Sequence, residues 1–213
     1  MSDSEAPAPV PQRYFMQLSY HGAPYHGWQI QPGCVTVQSV IEDALTKVMR
    51  RPTPVVGAGR TDAGVNARSM IAHFDAPSPI ADEQGFVRAL NSVVGRDIAI
   101  QKVCPVHPDA HARFDATSRT YHYYVTTVKT PFFHPLCWQA PPRLDFEAMN
   151  RAALELLAVD DFTSFACDGS RVASRAGHRR RICFRHHGRP FPAQHGARRS
   201  GHARRRGPRQ AYH

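Results

Sequence analysis

Residues 55–75, VVGAGRTDAGVNARSMIAHFD, hold two kinds of local order side by side. The first half sets Arg60 and Asp62 among small residues, with Gly57 and Gly59 before the arginine and Gly64 after the aspartate. Glycines there let the backbone turn tightly and let a bulky ligand approach closely. The second half, SMIAHFDA at 69–76, predicts a strand. Aspartate is ionised at neutral pH unless its surroundings oppose it, and a nearby guanidinium favours the charged form. The loop therefore offers a carboxylate suited to act as nucleophile or base. The planar fork of Arg60 suits a phosphate, a nucleobase face or the carboxylate itself. Without further context, the same pair could simply pin a β-turn.

Outward from this loop, strands alternate with helices. RYFMQLSYHG at 13–22 alternates apolar and polar residues and ends in a glycine turn, as a strand does. TVQSVIEDALTKVM at 36–49 predicts a helix capped by Thr36, with Val37, Val40, Ile41, Ala44, Leu45 and Val48 on one face. DEQGFVRALNSVV at 82–94 predicts a second helix with Phe86, Leu90 and Val93 inward, and IAIQKVCPV at 98–106 a strand. ATSRTYHYYVTTV at 116–128, rich in β-branched and aromatic residues, predicts a long strand. DFEAMNRAALELLAV at 145–159 reads as an amphipathic helix capped by Asp145.

The resulting fold class is α+β: two ferredoxin-like, RRM-like units with antiparallel sheets packed by helices, and a cleft between them. The organisation expected is a disordered leader at 1–12, an N-terminal unit carrying the loop at 13–108, the start of a second unit at 109–170, and a basic tail at 171–213.

The net charge of +10 belongs to that tail. Residues 171–213 contain 13 arginines and no lysine, aspartate or glutamate, leaving 14 basic against 17 acidic side chains in the remainder. The basic balance therefore says nothing about the body. Read as it stands, the tail is an unstructured basic segment able to touch nucleic acid without specificity. Five scattered cysteines with no C-x-x-C pair argue for reduced thiols. Of the 13 histidines, the nearest approach to a metal set is Cys104, His107 and His111 in CPVHPDAHAR, and its spacing is not that of a zinc site, so no metal is expected. No apolar run approaches the ~20 residues of a membrane span. A cytoplasmic protein is expected.

The string GAGRTDAGV at 57–65, followed by AHFD at 72–75, closely resembles the signature of the tRNA pseudouridine synthase A family. YHGAPYHGWQIQPGCVTVQSVIEDAL at 20–45, AHARFDATSRTYHYYV at 110–125 and DFTSF at 161–165 are similar to further motifs of that family, in the same order. The resemblance implies a tRNA uridine isomerase, acting at positions 38 to 40 of the anticodon arm as a homodimer and without a cofactor. Asp62 then matches the catalytic aspartate. Arg60 matches the arginine that fills the space of the flipped-out nucleotide and pairs with the carboxylate. Tyr121 matches the tyrosine that stacks on the target uracil, and Arg60 and Arg119 are the expected RNA contacts. Asn66 departs from the family's histidine, for which a tuning effect is expected. The other reading is an RRM-like protein that binds RNA without chemistry.

The family continues into a motif like FLHNMVRNIVG, absent here in frame. FPAQHGAR at 191–198 can be spelled TTT CCT GCA CAA CAT GGT GCG CGN, which one nucleotide later reads F-L-H-N-M-V-R. A frameshift upstream of Phe191 is the expected origin of the tail. It would remove apolar residues from the second unit and the arginine that the family sets against the aspartate, so weak or no turnover is expected of the chain as written.

Overall fold

The computed structural model describes residues 11–155 and the strand at 179–186. The DFTSF stretch at 161–165 and the FPAQHGAR stretch at 191–198 lie outside the described residues. The protein is α+β and divides into two compact units, the first ending its main run at Arg119 and the second beginning at Thr120.

The first unit is built from β1 (Gln12–Tyr20), α1 (Val37–Met49), β2 (Val56–Gly57), β3 (Ala67–Ala76), α2 (Glu83–Asn91) and β4 (Ile98–Pro105). The strands form one antiparallel sheet in the order β2-β3-β1-β4. Alternation in β1 sends Tyr14, Met16, Leu18 and Tyr20 to one face, where they join Met70, Ala72 and Phe74 of β3 and Ile98 and Ile100 of β4. The helices close over that face with Val37, Ile41, Ala44 and Leu45 from α1 and Leu90 from α2. Val40, Val48, Phe86 and Val93 pack at its margin, partly buried.

Local signals fix where the helices begin. The Thr36 hydroxyl accepts from the Ser39 N–H at 3.2 Å and the Ser39 hydroxyl accepts from the Thr36 N–H at 3.0 Å, a reciprocal cap. At α2 the Asp82 carboxylate accepts from the Gly85 N–H at 2.8 Å. Helix α1 ends where Arg50 turns left-handed, with φ 56°.

The second unit contains most of β5 (Ser118–Thr126), then β6 (Trp138–Gln139), α3 (Phe146–Glu155) and most of β7 (Arg179–His186). These strands form a sheet in the order β6-β5-β7. Two expectations change here. The sheet is not purely antiparallel: β6 runs parallel to β5, with Val125 opposite Trp138, because residues 127–137 carry the chain back before it pairs. The basic tail, expected to be unstructured, contributes β7. The run Ile182, Cys183, Phe184 is the strand signal that the surrounding arginines masked. Helix α3 begins as expected, with the Asp145 carboxylate accepting from the Ala148 N–H at 2.9 Å, yet none of its described residues is buried. Among the described residues, no helix is long and apolar enough to cross a membrane.

Candidate functional site

The loop from β2 to β3 is an irregular turn docked against residues 22–28. Thr61 carries the main contacts: its carbonyl accepts from the Trp28 N–H at 3.0 Å, and its hydroxyl shares a hydrogen bond with Tyr20 Oη at 2.9 Å. The Gly64 N–H donates to the Tyr25 carbonyl at 3.3 Å, and the Val65 N–H to the Asp62 carbonyl at 3.2 Å. Trp28, Tyr20 and Tyr25 are all buried, so the loop rests on an aromatic floor.

Two glycines make the docking possible. A Cβ on Gly57 would lie 2.5 Å from the Trp28 ring, closer than any side chain can sit. Gly27 has φ +84°, and a Cβ there would meet the Thr61 carbonyl at 2.5 Å. Gly57 belongs to the glycine-bounded turn that drew attention in the sequence. Gly27, from the GWQ stretch, was missed; its signal was a glycine directly before a tryptophan, the kind of place where backbone approaches backbone.

Arg60 and Asp62 are both exposed and line one open cleft of ≈ 260 Å³, together with Thr61, Ala63, His26, Gln29 and Gln31. No ion pair joins Arg60 to Asp62 among the described residues. An exposed pair of this kind gains little from closing, since solvent screens it. Both groups are thereby open to an incoming ligand.

Asn66 closes the loop from its far end, its Oδ1 accepting from the Gly22 N–H at 2.7 Å. Its carbonyl oxygen thus serves as a backbone staple. Arg119 also points into the structure: Nε and Nη2 donate to the Ala58 carbonyl at 3.1 and 2.5 Å, and Nη2 donates to the Arg113 carbonyl at 3.0 Å. Tyr121 belongs to the second unit, on β5, and is 41% exposed.

Two of the sequence motifs prove to be joined. In AHFD, Asp75 accepts from Arg13 Nε at 2.7 Å and Nη2 at 2.8 Å, and Arg13 Nη1 donates to the carbonyl of Ala110 at 3.1 Å. Buried His73 accepts from the Ala112 N–H at 3.1 Å through Nδ1. Its ring meets His111 edge-on at 4.6 Å, and His111 stacks on Phe114 at 4.2 Å. AHFD thus anchors AHARF to the sheet. Burial, with Arg13 and His111 nearby, holds the His73 imidazole below its ordinary pKa, against the opposing pull of Asp75 and Asp115. The hydrogen bond from Arg13, aided by its charge and that of His73, holds the Asp75 carboxyl below the usual carboxylate range. Among the described residues, no group of three or more His, Cys, Asp or Glu side chains is placed to hold a metal ion.

No protein-family model matches the chain. It is, however, similar to proteins named tRNA pseudouridine synthase A. It is 58% identical over 155 residues to the one from Parabacteroides distasonis, covering 73% of this chain and 62% of the relative. The relatives from Bacteroides fragilis and Porphyromonas gingivalis are 52% and 50% identical, each over 155 residues and 62% of their length. The chain spans about three-fifths of the length of these curated relatives.

Proposed function

We propose that this chain belongs to the tRNA pseudouridine synthase A family, to whose members it is 50–58% identical over about three-fifths of their length, and that its cleft isomerises uridine to pseudouridine in tRNA. The observation that carries the reading is Asp62. Among the described residues its carboxylate makes no ion pair, and it stands beside Arg60 in an open cleft, on a loop braced by buried aromatics.

The reaction breaks the N-glycosidic bond, turns the base and rejoins it through carbon. Nothing is oxidised and no group is imported, so the chemistry can rest on a well-placed carboxylate. Asp62 serves it as nucleophile, at the sugar or the base, or as the base that takes a sugar proton. Every route needs the target out of its stack, at a cost of a few kcal/mol. Tyr121 is the stacking platform in this reading, and such a contact returns roughly 1–3 kcal/mol per base. Arg60 occupies the space that the nucleotide vacates.

The finer statements are part of the same proposal. The substrate uridines are those at positions 38 to 40 of the anticodon arm, and the protein works as a homodimer in the cytoplasm. The β-α-β-β-α-β order of the first unit and its β2-β3-β1-β4 sheet support a ferredoxin-like domain at 13–108. The second α+β unit is assigned to 109–170.

Asp62→Asn is the test. Incubated with tRNA, the variant is expected to form pseudouridine only at background level while retaining tRNA affinity. Because weak or no turnover is expected of the chain as written, the comparison is made in the frame-restored chain. Equal inertness of that chain and its variant, with binding intact, would instead favour the non-catalytic RNA-binding reading. Release of free uracil would point to a hydrolase.

A further inference from the structure

Arg119 spends its charge in an unusual way. It sits on β5 inside the first unit, half-buried, and its Nε and Nη2 donate to carbonyl oxygens. Two of its nitrogens converge on the single carbonyl of Ala58. The N–H of the same residue, Ala58, donates to the Ile71 carbonyl on β3 at 2.7 Å. A Cβ on Gly59 would lie 3.5 Å from Arg119 Nε, so the loop passes directly over the guanidinium. The next tether along the loop is the Thr61 carbonyl on the Trp28 N–H. Arg60 is held between these two fixed points, and Asp62 follows the second.

We infer that Arg119 is a positioning residue, whose guanidinium clamps the Ala58 carbonyl and so sets where Arg60 and Asp62 stand in the cleft. Only a planar fork with several rigid N–H vectors can place two donors on one oxygen and reach a second carbonyl at Arg113. A lysine ammonium supplies charge but not that geometry. Nε and Nη2, two of the three nitrogens that could meet RNA, are thus engaged within the protein. The kinetic part of this inference rests on the isomerase reading; the structural part does not.

The test compares Arg119→Ala and Arg119→Lys with the wild-type full chain by two readouts. In amide hydrogen exchange, both variants are expected to lose protection across residues 57–66, by roughly tenfold for one lost backbone tether, with β1, β3 and β4 unchanged. In pseudouridine formation, kcat is expected to fall by about a hundredfold for a loop displaced by about an ångström, with KM for tRNA and its salt dependence unchanged. Unchanged exchange in 57–66, or lysine restoring both readouts, overturns the inference. So does a rise in KM with a shallower salt slope, which would mark Arg119 as a phosphate contact. Loss of protection spread evenly over the unit would mark a merely structural role and also overturns it; should the alanine variant unfold, the lysine variant decides. If the wild-type chain forms no pseudouridine, as expected of the chain as written, the kinetic readout falls away, and loop-confined exchange alone decides the role of Arg119.

Discussion

In the first unit, every second side chain of β1 from Tyr14 to Tyr20 is buried under two helices. In the second, β5 buries only Val125 and Thr126 of its nine residues, and α3 buries none of those described. Both regions are built from equally regular sequence: α3 is as amphipathic in pattern as α1. The contrast separates two things that a periodic pattern is often taken to imply together. Periodicity specifies an element, while burial depends on a partner surface that closes over it. The first unit supplies both faces of its own core, and it is also the unit that carries the Asp62 loop.

The sharpest way to break this contrast is to truncate one leucine in each region. Leu45→Ala, at a fully buried α1 position, is expected to destabilise the protein by about 2–5 kcal/mol through lost transfer energy and a residual cavity. Leu154→Ala, on α3 at a position 63% exposed, should stay within about 0.5 kcal/mol. Denaturant unfolding of both variants measures the difference. Similar losses would mean that α3 is covered in solution.

The same contrast explains what could be read in advance. The elements β1, α1, β3, α2 and β4 were legible because alternation, helical spacing and, for α1, the cap Thr36 all agreed; the Asp82 cap of α2 emerged only in the structure. Strand β2 was not, since two residues ending at Gly57 carry no period and the glycine reads as a turn. β6 was missed for the same shortness, and β7 because its apolar centre is flanked by arginines. At the site, Arg60 and Asp62 were legible from their glycine setting, and they do share one cleft. The supports of that cleft were not. Gly27 under Thr61, Asn66 on the Gly22 N–H and Arg119 on Ala58 act across 34 to 61 residues of chain, through hydrogen bonds and close approaches that leave no local pattern.

A second prediction probes the motif junction inside the first unit. His73 accepts the Ala112 N–H through Nδ1, and protonating that atom would remove the acceptor and bury a charge. Because its pKa is lowered on folding, the unfolded chain binds the proton more tightly. The stability this histidine contributes is full above its unfolded pKa of about 6.5 and declines as the pH falls below it. His73→Phe, which leaves the Ala112 N–H without its acceptor, should cost about 1–3 kcal/mol at neutral pH and flatten the decline between pH 7 and 5. Thermal melts across that range test both; an unaltered slope would place the acid sensitivity elsewhere.

The smallest expected effect comes from the pair beside it, and its pH window is different. Asp75 is depressed by the hydrogen bond and charge of Arg13, so its contribution is present above the unfolded carboxylate pKa and lost as the pH falls through the lowered folded value. The window therefore opens near pH 4, well below that of His73. With the Asp75 side chain 51% exposed, solvent screens the pair, and its worth is about 1 kcal/mol or less despite bidentate geometry. Asp75→Asn should lower neutral-pH stability by no more than that and remove the acid-limb slope below pH 4, leaving the His73 limb intact. Two separable limbs in the wild type, each removed by its own substitution, would show that AHARF is held to the sheet by two independent fastenings. A single limb abolished by either substitution would mean that Arg13, Asp75 and His73 titrate as one unit.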